Sequence, residues 1–459
     1  MTRSLLFLLF FAGVAFAVPA AEAADPELSS ALSSHDSKAI MSRFKTLAED
    51  DPETAAREIP AAIARIEGAD AEEYHVQDRY QVFKRAISVL SRMKSQKANE
   101  VLRKQVKSAK EWPARVVALH SGLQNASLDG VNWSLEALAD QAPEVVQIAA
   151  RALGFSKQAL AIPGLIDAMK KWEKSDTREK AGRKGKKGRS TIAADAAGRV
   201  WLSLRDALER LTGESLHSAV GYETYYRAHR DKIDPANVDL SKRKESTTGL
   251  GLFGLELTGK NIAFVLDVSG SMMSTDPLTP AQIAKLRRST GVAGDHSLEE
   301  AMMEDRRRII RAKKELGKVI DGLSEDRNFN VIAFSTDVTS WQKILVSADK
   351  KKRKDGKAFV EALEADGITV TDWALSEALA DPKIDTIYLI TDGAPTHVGL
   401  TGSGLPPDAK SLMDQILKET QAVNHLRGVR IFTLGFEGAE EGFLEKLSEQ
   451  NGGKYLRIE

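Results

Sequence analysis

Alanine and leucine recur at three- and four-residue spacings from Asp25 to about Tyr226, and few runs there are rich in β-branched residues. That spacing lines apolar side chains along one face of a helix. Segments that begin with Trp112-Pro113 and Ala142-Pro143 lie about thirty residues apart, and each proline suits the first turn of a helix. The pattern predicts an all-α domain over residues 25–233, with helix pairs stacked as repeats.

The stretch from Val145 to Met169 resembles a HEAT-like repeat. The resemblance is carried by Ala149-Ala150-Arg151-Ala152-Leu153-Gly154, which precedes Ala161-Ile162-Pro163-Gly164-Leu165-Ile166. About two such units can be recognised, and they imply a stack of helix pairs.

Two polar stretches interrupt this pattern. Residues 170–190 are strongly basic and contain glycine, which is typical of a solvated loop between helices. An alternative role in binding phosphate groups or an acidic surface has little support, because Trp172 is the only aromatic residue there. Residues 234–256 are predicted to be a linker, because the sequence from Asp234 through Gly249 shows no apolar period.

The apolar period changes after the linker. Four short runs are typical of buried strands, and helical segments separate them. These runs are Asn261 to Leu266, Asn328 to Phe334, Thr386 to Ile390, and Val429 to Leu434. Alternation of this kind predicts a second domain, over residues 257–459, with the α/β doubly wound fold and a mainly parallel sheet.

Oxygen-bearing side chains follow two of these strands. The first strand leads directly into Asp267-Val268-Ser269-Gly270-Ser271, the third ends in Thr391-Asp392-Gly393, and a further loop offers Gly367-Ile368-Thr369. Ligands bind at the carboxyl edge of open α/β sheets, so the three loops are expected to converge there. Two carboxylates and three hydroxyls suit a hard octahedral cation, which favours Mg²⁺, with Mn²⁺ or Ca²⁺ as alternatives.

These pieces resemble, in order and spacing, the metal-ion-dependent adhesion site of von Willebrand factor type A domains. The resemblance covers about Thr258 to Glu459. It implies that Asp267, Ser269 and Ser271 hold the ion directly or through water, that Thr369 binds in one state, and that Asp392 often acts through water. It also implies a protein partner whose Asp or Glu completes the coordination of the metal.

The sequence departs from that family in two places. Ile368 stands where the family often has glycine, and an insertion from Ser274 to Asp295 separates the first metal loop from its helix. The insertion is expected to form either a lid or partner-specific surface, or a disordered tether. His397 follows Asp392 closely, but single histidines near a site are usually surface residues, so it is left out of the metal set.

Charge and cysteine content narrow the functional classes. Lys plus Arg and Asp plus Glu each number 65 in the 459 residues, so no overall field draws the protein to nucleic acid. The sequence has no cysteine, which excludes disulfides, thiol catalysis and thiolate zinc sites. Neither property predicts an oligomeric state.

The first 24 residues are predicted to be a cleaved signal peptide. Arg3 precedes an apolar stretch from Leu5 to Ala17, and small-residue triplets follow, a pattern typical of export. A retained membrane anchor is the alternative, but the stretch is shorter than the roughly 20 apolar residues of a spanning helix. The mature protein is therefore expected to be periplasmic or extracellular, without a membrane span.

Two other functions fit parts of the pattern. A strand followed by Asp267 is also found in phosphatases that use an aspartate nucleophile, but these enzymes need a second Asp at the position of Ser269. Alternatively, the chain is a metal-free scaffold that acts through its helical half. The intact set of five donors favours an exported, metal-dependent protein-binding protein, in adhesion or scaffolding, and we predict no enzymatic activity.

Overall fold

A computed structural model describes residues 25–182, 192–238, 250–276, 306–396 and 409–458, with side chains described for all of these except 174–182 and 192–197. The predicted signal peptide, residues 183–190 of the basic loop, residues 239–249 of the linker, residues 277–295 of the insertion and His397 lie outside this part of the chain. Residues 170–182, which were predicted as part of that loop, belong instead to the helix Ala161–Gly182.

The N-terminal half is built from helices, as the apolar spacing predicted. Pro113 and Pro143 lie in the first turns of α6 and α8, and Asp36 and Asp51 accept backbone N–H groups at the starts of α2 and α3. A continuous core of buried aliphatic and aromatic side chains runs through these helices. The helices are α1 (Pro26–Ser33), α2 (Ser37–Asp50), α3 (Pro52–Ile66), α4 (Val76–Leu90), α5 (Gln96–Ser108), α6 (Trp112–Gln124), α7 (Gly130–Ala137), α8 (Pro143–Phe155), α9 (Ala161–Gly182), α10 (Ile192–Thr212) and α11 (Ala219–His229).

The C-terminal half contains a mainly parallel sheet with strand order β5-β4-β3-β7-β8-β9, and β6 also pairs with β4. All four strands that the sequence predicted are present, within one residue of their expected ends. The short β5, β6 and β9 were not predicted, because they are too brief to show a period. The strands are β3 (Asn261–Asp267), β4 (Asn328–Phe334), β5 (Val338–Ser340), β6 (Val346–Ser347), β7 (Thr386–Thr391), β8 (Arg430–Gly435) and β9 (Tyr455–Arg457).

Helices cover both faces of this sheet, which confirms the doubly wound fold. On β3, Phe264 points into one core while Val265 points into the other, because successive side chains of a strand face opposite sides. Helices α12 (Arg308–Gly322) and α13 (Lys350–Ala362) pack in the first core, and α14 (Thr371–Ala380), α15 (Ala409–Asn424) and α16 (Glu441–Gln450) pack in the second.

A hairpin precedes β3, within the stretch predicted as a linker. It consists of β1 (Gly251–Leu252) and β2 (Leu255–Glu256), which pair antiparallel. Leu252 and Leu255 are buried and join the α/β core on the side of α12. The last residues of the predicted linker thus pack with the sheet domain.

The helical half lies against the amino-terminal edge of the sheet. Arg430, the first residue of β8, donates to the Leu202 carbonyl of α10 at 3.0 Å and forms an ion pair with Asp206. His425, in the turn before β8, packs against Phe83 of α4 with ring centroids 4.8 Å apart. The carboxyl edge of β3 and β7 faces the opposite way. No described helix has both the length and the apolar character of a membrane span.

Candidate metal centre

The first loop of the site begins where β3 ends. Asp267 is completely buried, and its Oδ1 accepts the backbone N–H of Ser269 at 2.8 Å. Its Oδ2 accepts the Thr391 hydroxyl, from the end of neighbouring β7, at 2.5 Å. The carboxylate is therefore fixed by one bond within its own loop and one from the adjacent strand.

The first and third loops meet through hydroxyl and carboxylate groups. Ser271 Oγ donates to Asp392 Oδ1 at 2.6 Å, and the hydroxyls of Ser269 and Ser271 are 3.0 Å apart. Asp392 and Ser269 are buried, whereas Ser271 is exposed. The donors thus form a small cluster that opens to solvent on the Ser271 side.

The second loop is tied to the first by the backbone. The N–H of Asp366 donates to the Val268 carbonyl at 2.9 Å, and the N–H of Gly270 donates to the Gly367 carbonyl at 3.0 Å. Gly367 has a φ of +85°, and a β carbon there would lie 2.2 Å from the Thr336 hydroxyl oxygen. Glycine is needed at this position both for the left-handed backbone and for the close approach.

Thr369, on the same loop, reaches the cluster. A β carbon added to Gly393 would lie 3.3 Å from Thr369 Oγ1 and 3.7 Å from Ser271 Oγ, so both hydroxyls border one small space. Thr369 is buried, and its backbone N–H is bonded to the Thr396 hydroxyl at 2.8 Å. The structure therefore brings together the five side chains that the sequence selected.

The cluster holds two buried carboxylates, those of Asp267 and Asp392, whose negative charges repel each other. Burial raises the pKa of Asp267 to about 6, and repulsion from Asp392 adds to this increase. The hydrogen bonds from Ser269 and Thr391 act in the opposite direction and lower the pKa. Two carboxylates held out of water beside each other are stabilised by a nearby positive charge.

Arg308, which no sequence motif indicated, supplies one positive charge. Its Nη1 lies 2.7 Å from Asp392 Oδ2, and its Nε lies 2.6 Å from Asp276 Oδ1. Arg311 holds the other oxygen of Asp276 at 2.8 Å. The only signal in the sequence is the run Arg306-Arg307-Arg308, and a run of like charges usually indicates a solvated helix face.

These contacts also hold the start of the insertion, Ser274 to Asp276, beside the cluster. The Arg308 backbone N–H donates to the Ser274 carbonyl at 3.0 Å, and Arg306 Nε donates to the Asp276 carbonyl at 3.2 Å. Met273 is 43% exposed nearby. Asp276 and Arg306 therefore both lie at the carboxyl edge of the sheet.

The donor chemistry fits a hard, partly hydrated divalent cation. Within the described ranges no group of three or more His, Cys, Asp or Glu is arranged to hold a metal, so a metal here has to use hydroxyl oxygens as well. Asp267 accepts hydrogen bonds from Ser269 and Thr391, and a carboxylate with about four lone-pair sites retains capacity for a cation beside them. Both oxygens of Asp392 are already engaged, which suits a contact through water.

Comparisons with known proteins agree with this fold. Residues 306–456 match the family model of the von Willebrand factor type A domain. Inter-alpha-trypsin inhibitor heavy chain H4 of Bos taurus is 28% identical over 211 residues, which are 43% of this chain and 18% of the relative. Heavy chain H3 of Mus musculus is 27% identical over 208 residues, 45% of this chain and 20% of the relative.

Among solved structures, a von Willebrand factor type A protein from Catenulispora acidiphila has 19% sequence identity and a TM-score of 0.30, and the match covers 44% of this chain and 38% of that chain. The chain spans about a fifth of the length of the inter-alpha-trypsin inhibitor relatives. The family match and the parallel sheet together identify residues 306–456 as a region of the von Willebrand factor type A family.

Proposed function

We propose that this chain is an exported protein that binds a partner protein through a divalent cation, most simply Mg²⁺, at the carboxyl edge of its von Willebrand factor type A domain. The observation that supports this function most directly is the bonded cluster of Ser269, Ser271 and Asp392 beside the buried Asp267. The match to the type A domain family supports a protein-binding role in general terms. The metal, the export and the partner are the proposed parts.

Each side chain has a defined task in this proposal. Asp267, Ser269 and Ser271 hold the ion directly or through water, Thr369 contributes in one state, and Asp392 orients a bound water. A bound cation supplies a concentrated positive charge and an exchangeable coordination position. An Asp or Glu of the partner fills that position, so the metal becomes part of the interface.

The arrangement of the two halves favours this assignment of roles. The helical half packs at the amino edge of the sheet, through Arg430 and His425, so it does not cover the cluster around Asp267. The first residues of the insertion, Ser274 to Asp276, border that cluster. We propose that the insertion contributes to partner selection, and that the helical half offers a second contact surface.

Calorimetric titration of the full-length mature chain with MgCl₂ tests the metal site. We expect saturable binding to the wild type and its loss in Asp267→Asn, which keeps the shape of the side chain but removes the charge. Asp355→Asn is the matched control, because Asp355 is exposed on α13, away from the cluster. Equal heats for Asp267→Asn and the wild type would refute the metal site.

A pull-down from the native cell envelope tests the partner. The wild type is expected to retain a protein in Mg²⁺ and release it in chelator, whereas Asp267→Asn should not retain it in either condition. A partner captured equally in chelator, through the helical half alone, would favour the metal-free scaffold. The mass of the mature N-terminus shows whether residues 1–24 are removed.

The phosphatase alternative has a direct test. Ser269 stands two residues after Asp267, where such enzymes need a second acid, and a hydroxyl is not a general acid at neutral pH. We therefore expect no turnover of an aryl phosphate in the presence of Mg²⁺. Clear turnover that Asp267→Asn abolishes would make the protein a hydrolase.

A further inference from the structure

A cavity of about 880 Å³ lies between the two halves of the molecule. Helices α4, α6, α8 and α10 form one wall, and the turns that lead into β8 and β9 form the other. Because β8 and β9 begin there, the cavity lies at the amino edge of the sheet, opposite the cluster around Asp267. Its volume falls within the range of small-molecule binding sites, roughly 300–1,000 Å³.

Apolar side chains line much of the helical wall of this cavity. They come from three different helices and include two phenylalanines, namely Phe83, Ile87, Leu123, Ile148 and Phe155. Phe155 is 58% exposed, which is unusual for a large aromatic side chain next to a core. An apolar body placed in the cavity would remove this surface from water.

Basic groups stand beside the apolar wall. Arg210 lies over the Phe155 ring, with its guanidinium carbon 4.3 Å from the ring centroid, and Arg151 and Lys84 also line the cavity. Arg151 forms no ion pair or hydrogen bond within the described part of the chain. Burial, together with the nearby Arg210 and Arg430, lowers the pKa of Arg151.

The acidic side chains that line the cavity either lie close to basic residues or are exposed to solvent. Asp206 pairs with Arg430, and Glu144 lies 3.8 Å from Arg199. Glu449 also borders the cavity but is exposed to solvent. Arg151, which is exposed to solvent, therefore has no ion-pair partner among the described residues, although the nearby Asp206 acts to raise its pKa.

Gln147 provides a second, independent sign of a missing ligand. This residue lines the cavity and is only 8% exposed, yet its Nε2 has no hydrogen-bond acceptor among the described residues. Leaving a buried donor unsatisfied is unfavourable, so such groups are usually paired in folded proteins. An acceptor brought in by a ligand would satisfy it.

We propose that this cavity binds a small amphiphilic anion, with its apolar body against Phe83, Ile148 and Phe155 and its carboxylate or phosphate beside Arg151 and Arg210. The amide of Gln147 donates to the bound anion or to the atoms next to it. The ligand contacts both halves of the molecule and so bridges them. This site is separate from the proposed metal centre and does not depend on it.

The test uses the full-length mature chain and a dansyl-labelled undecanoic acid, whose fluorescence rises in an apolar site. We expect saturable binding, with displacement by decanoate or decyl phosphate and much weaker displacement by decanol, which lacks the charge. Inorganic phosphate and an oligoglutamate peptide should displace it poorly. Decanol acting as well as decanoate, or oligoglutamate acting better than either, would overturn the proposal.

Variants locate the site. Arg151→Gln should raise the dissociation constant of the probe roughly tenfold, because a charged hydrogen bond is lost, and Gln147→Leu should raise it several-fold. Arg57→Gln, exposed on α3 and away from the cavity, and Asp267→Asn should leave it unchanged. If Arg151→Gln, with circular dichroism like the wild type, binds the probe equally well, the assignment is wrong.

Discussion

Replacing Arg308 with glutamine removes the cation that Asp392 contacts in this structure. The side chain of Asp392 is completely buried, that of Asp276 is 5% exposed, and that of Arg308 is 13% exposed. Breaking a buried ion pair by removing one partner costs about 3–5 kcal/mol, because the other charge is left without compensation. Arg311 still holds Asp276, so we expect a loss near 3 kcal/mol, at the lower end of that range.

This loss is measurable in the thermal unfolding of the protein in chelator. For a domain of roughly 200 residues, 1 kcal/mol shifts the midpoint by about 2–4 °C, so Arg308→Gln should unfold roughly 6–12 °C lower than the wild type. Saturating Mg²⁺ should recover part of the difference, because a ligand present at about 100 times its dissociation constant stabilises by about 2.7 kcal/mol. The shift on adding Mg²⁺ should be larger in Arg308→Gln than in the wild type, where Asp392 already has a cation.

Arg311→Gln is the matched control for this experiment. It removes a guanidinium from Asp276, at 2.8 Å, on the same helix, whereas the ion pair with Asp392 is made by Arg308. We expect it to lower stability without increasing the response to Mg²⁺. The reasoning is refuted if Arg308→Gln is as stable as the wild type in chelator, or if Mg²⁺ stabilises the three proteins by equal amounts.

Three further predictions concern other parts of the fold. Gly367→Ala should lower stability by about 1–3 kcal/mol and weaken Mg²⁺ binding in calorimetry, since its φ is +85° and its β carbon would meet Thr336; unchanged binding would contradict it. Arg430→Gln should cost about 1.5–3 kcal/mol through its lost bonds to α10 and should speed proteolysis between the halves; an unaltered digestion pattern would count against this. Burial lowers the pKa of His120 to about 4 from 6.5, so its contribution to stability is present above pH 6.5 and is lost as the pH falls toward 4. His120→Gln should therefore make the thermal unfolding midpoint less dependent on pH between 6.5 and 4. An unchanged dependence on pH would refute the assignment.

The strands that carry the candidate metal donors could be predicted because their signals are local. Asn261 to Leu266 and Thr386 to Ile390 are short apolar runs, and each leads directly into an oxygen-bearing turn. Parallel strands bring their carboxyl ends to one edge, so Asp267 and Asp392 were expected at the same edge of the sheet, whereas the adjacency of β3 and β7 came from the structure. The helices of the N-terminal half could also be predicted, because apolar spacing and first-turn prolines are local signals that do not depend on the tertiary structure.

Other features depend on residues that are far apart in the chain. The residues Arg308 and Asp392 are 84 positions apart in the chain. In the sequence Arg308 is one residue of a basic run, and nothing in that run indicates which carboxylate it contacts. Likewise, the Thr369 loop reaches the site through backbone bonds to Val268 and Gly270. No local pattern encodes such bonds, because they are set by how packed elements meet.

The sequence contained the donors, the strands that end in them and the helices that cover the sheet, because periodicity and turn chemistry act over a few residues. Packing determined which edge of the sheet the helical half covers, and it placed the buried Gln147 and the exposed Arg151 beside a shared cavity. Those outcomes depend on shape and charge complementarity between separate surfaces, such as Arg430 with Asp206. Complementarity of this kind exists only once both halves are folded.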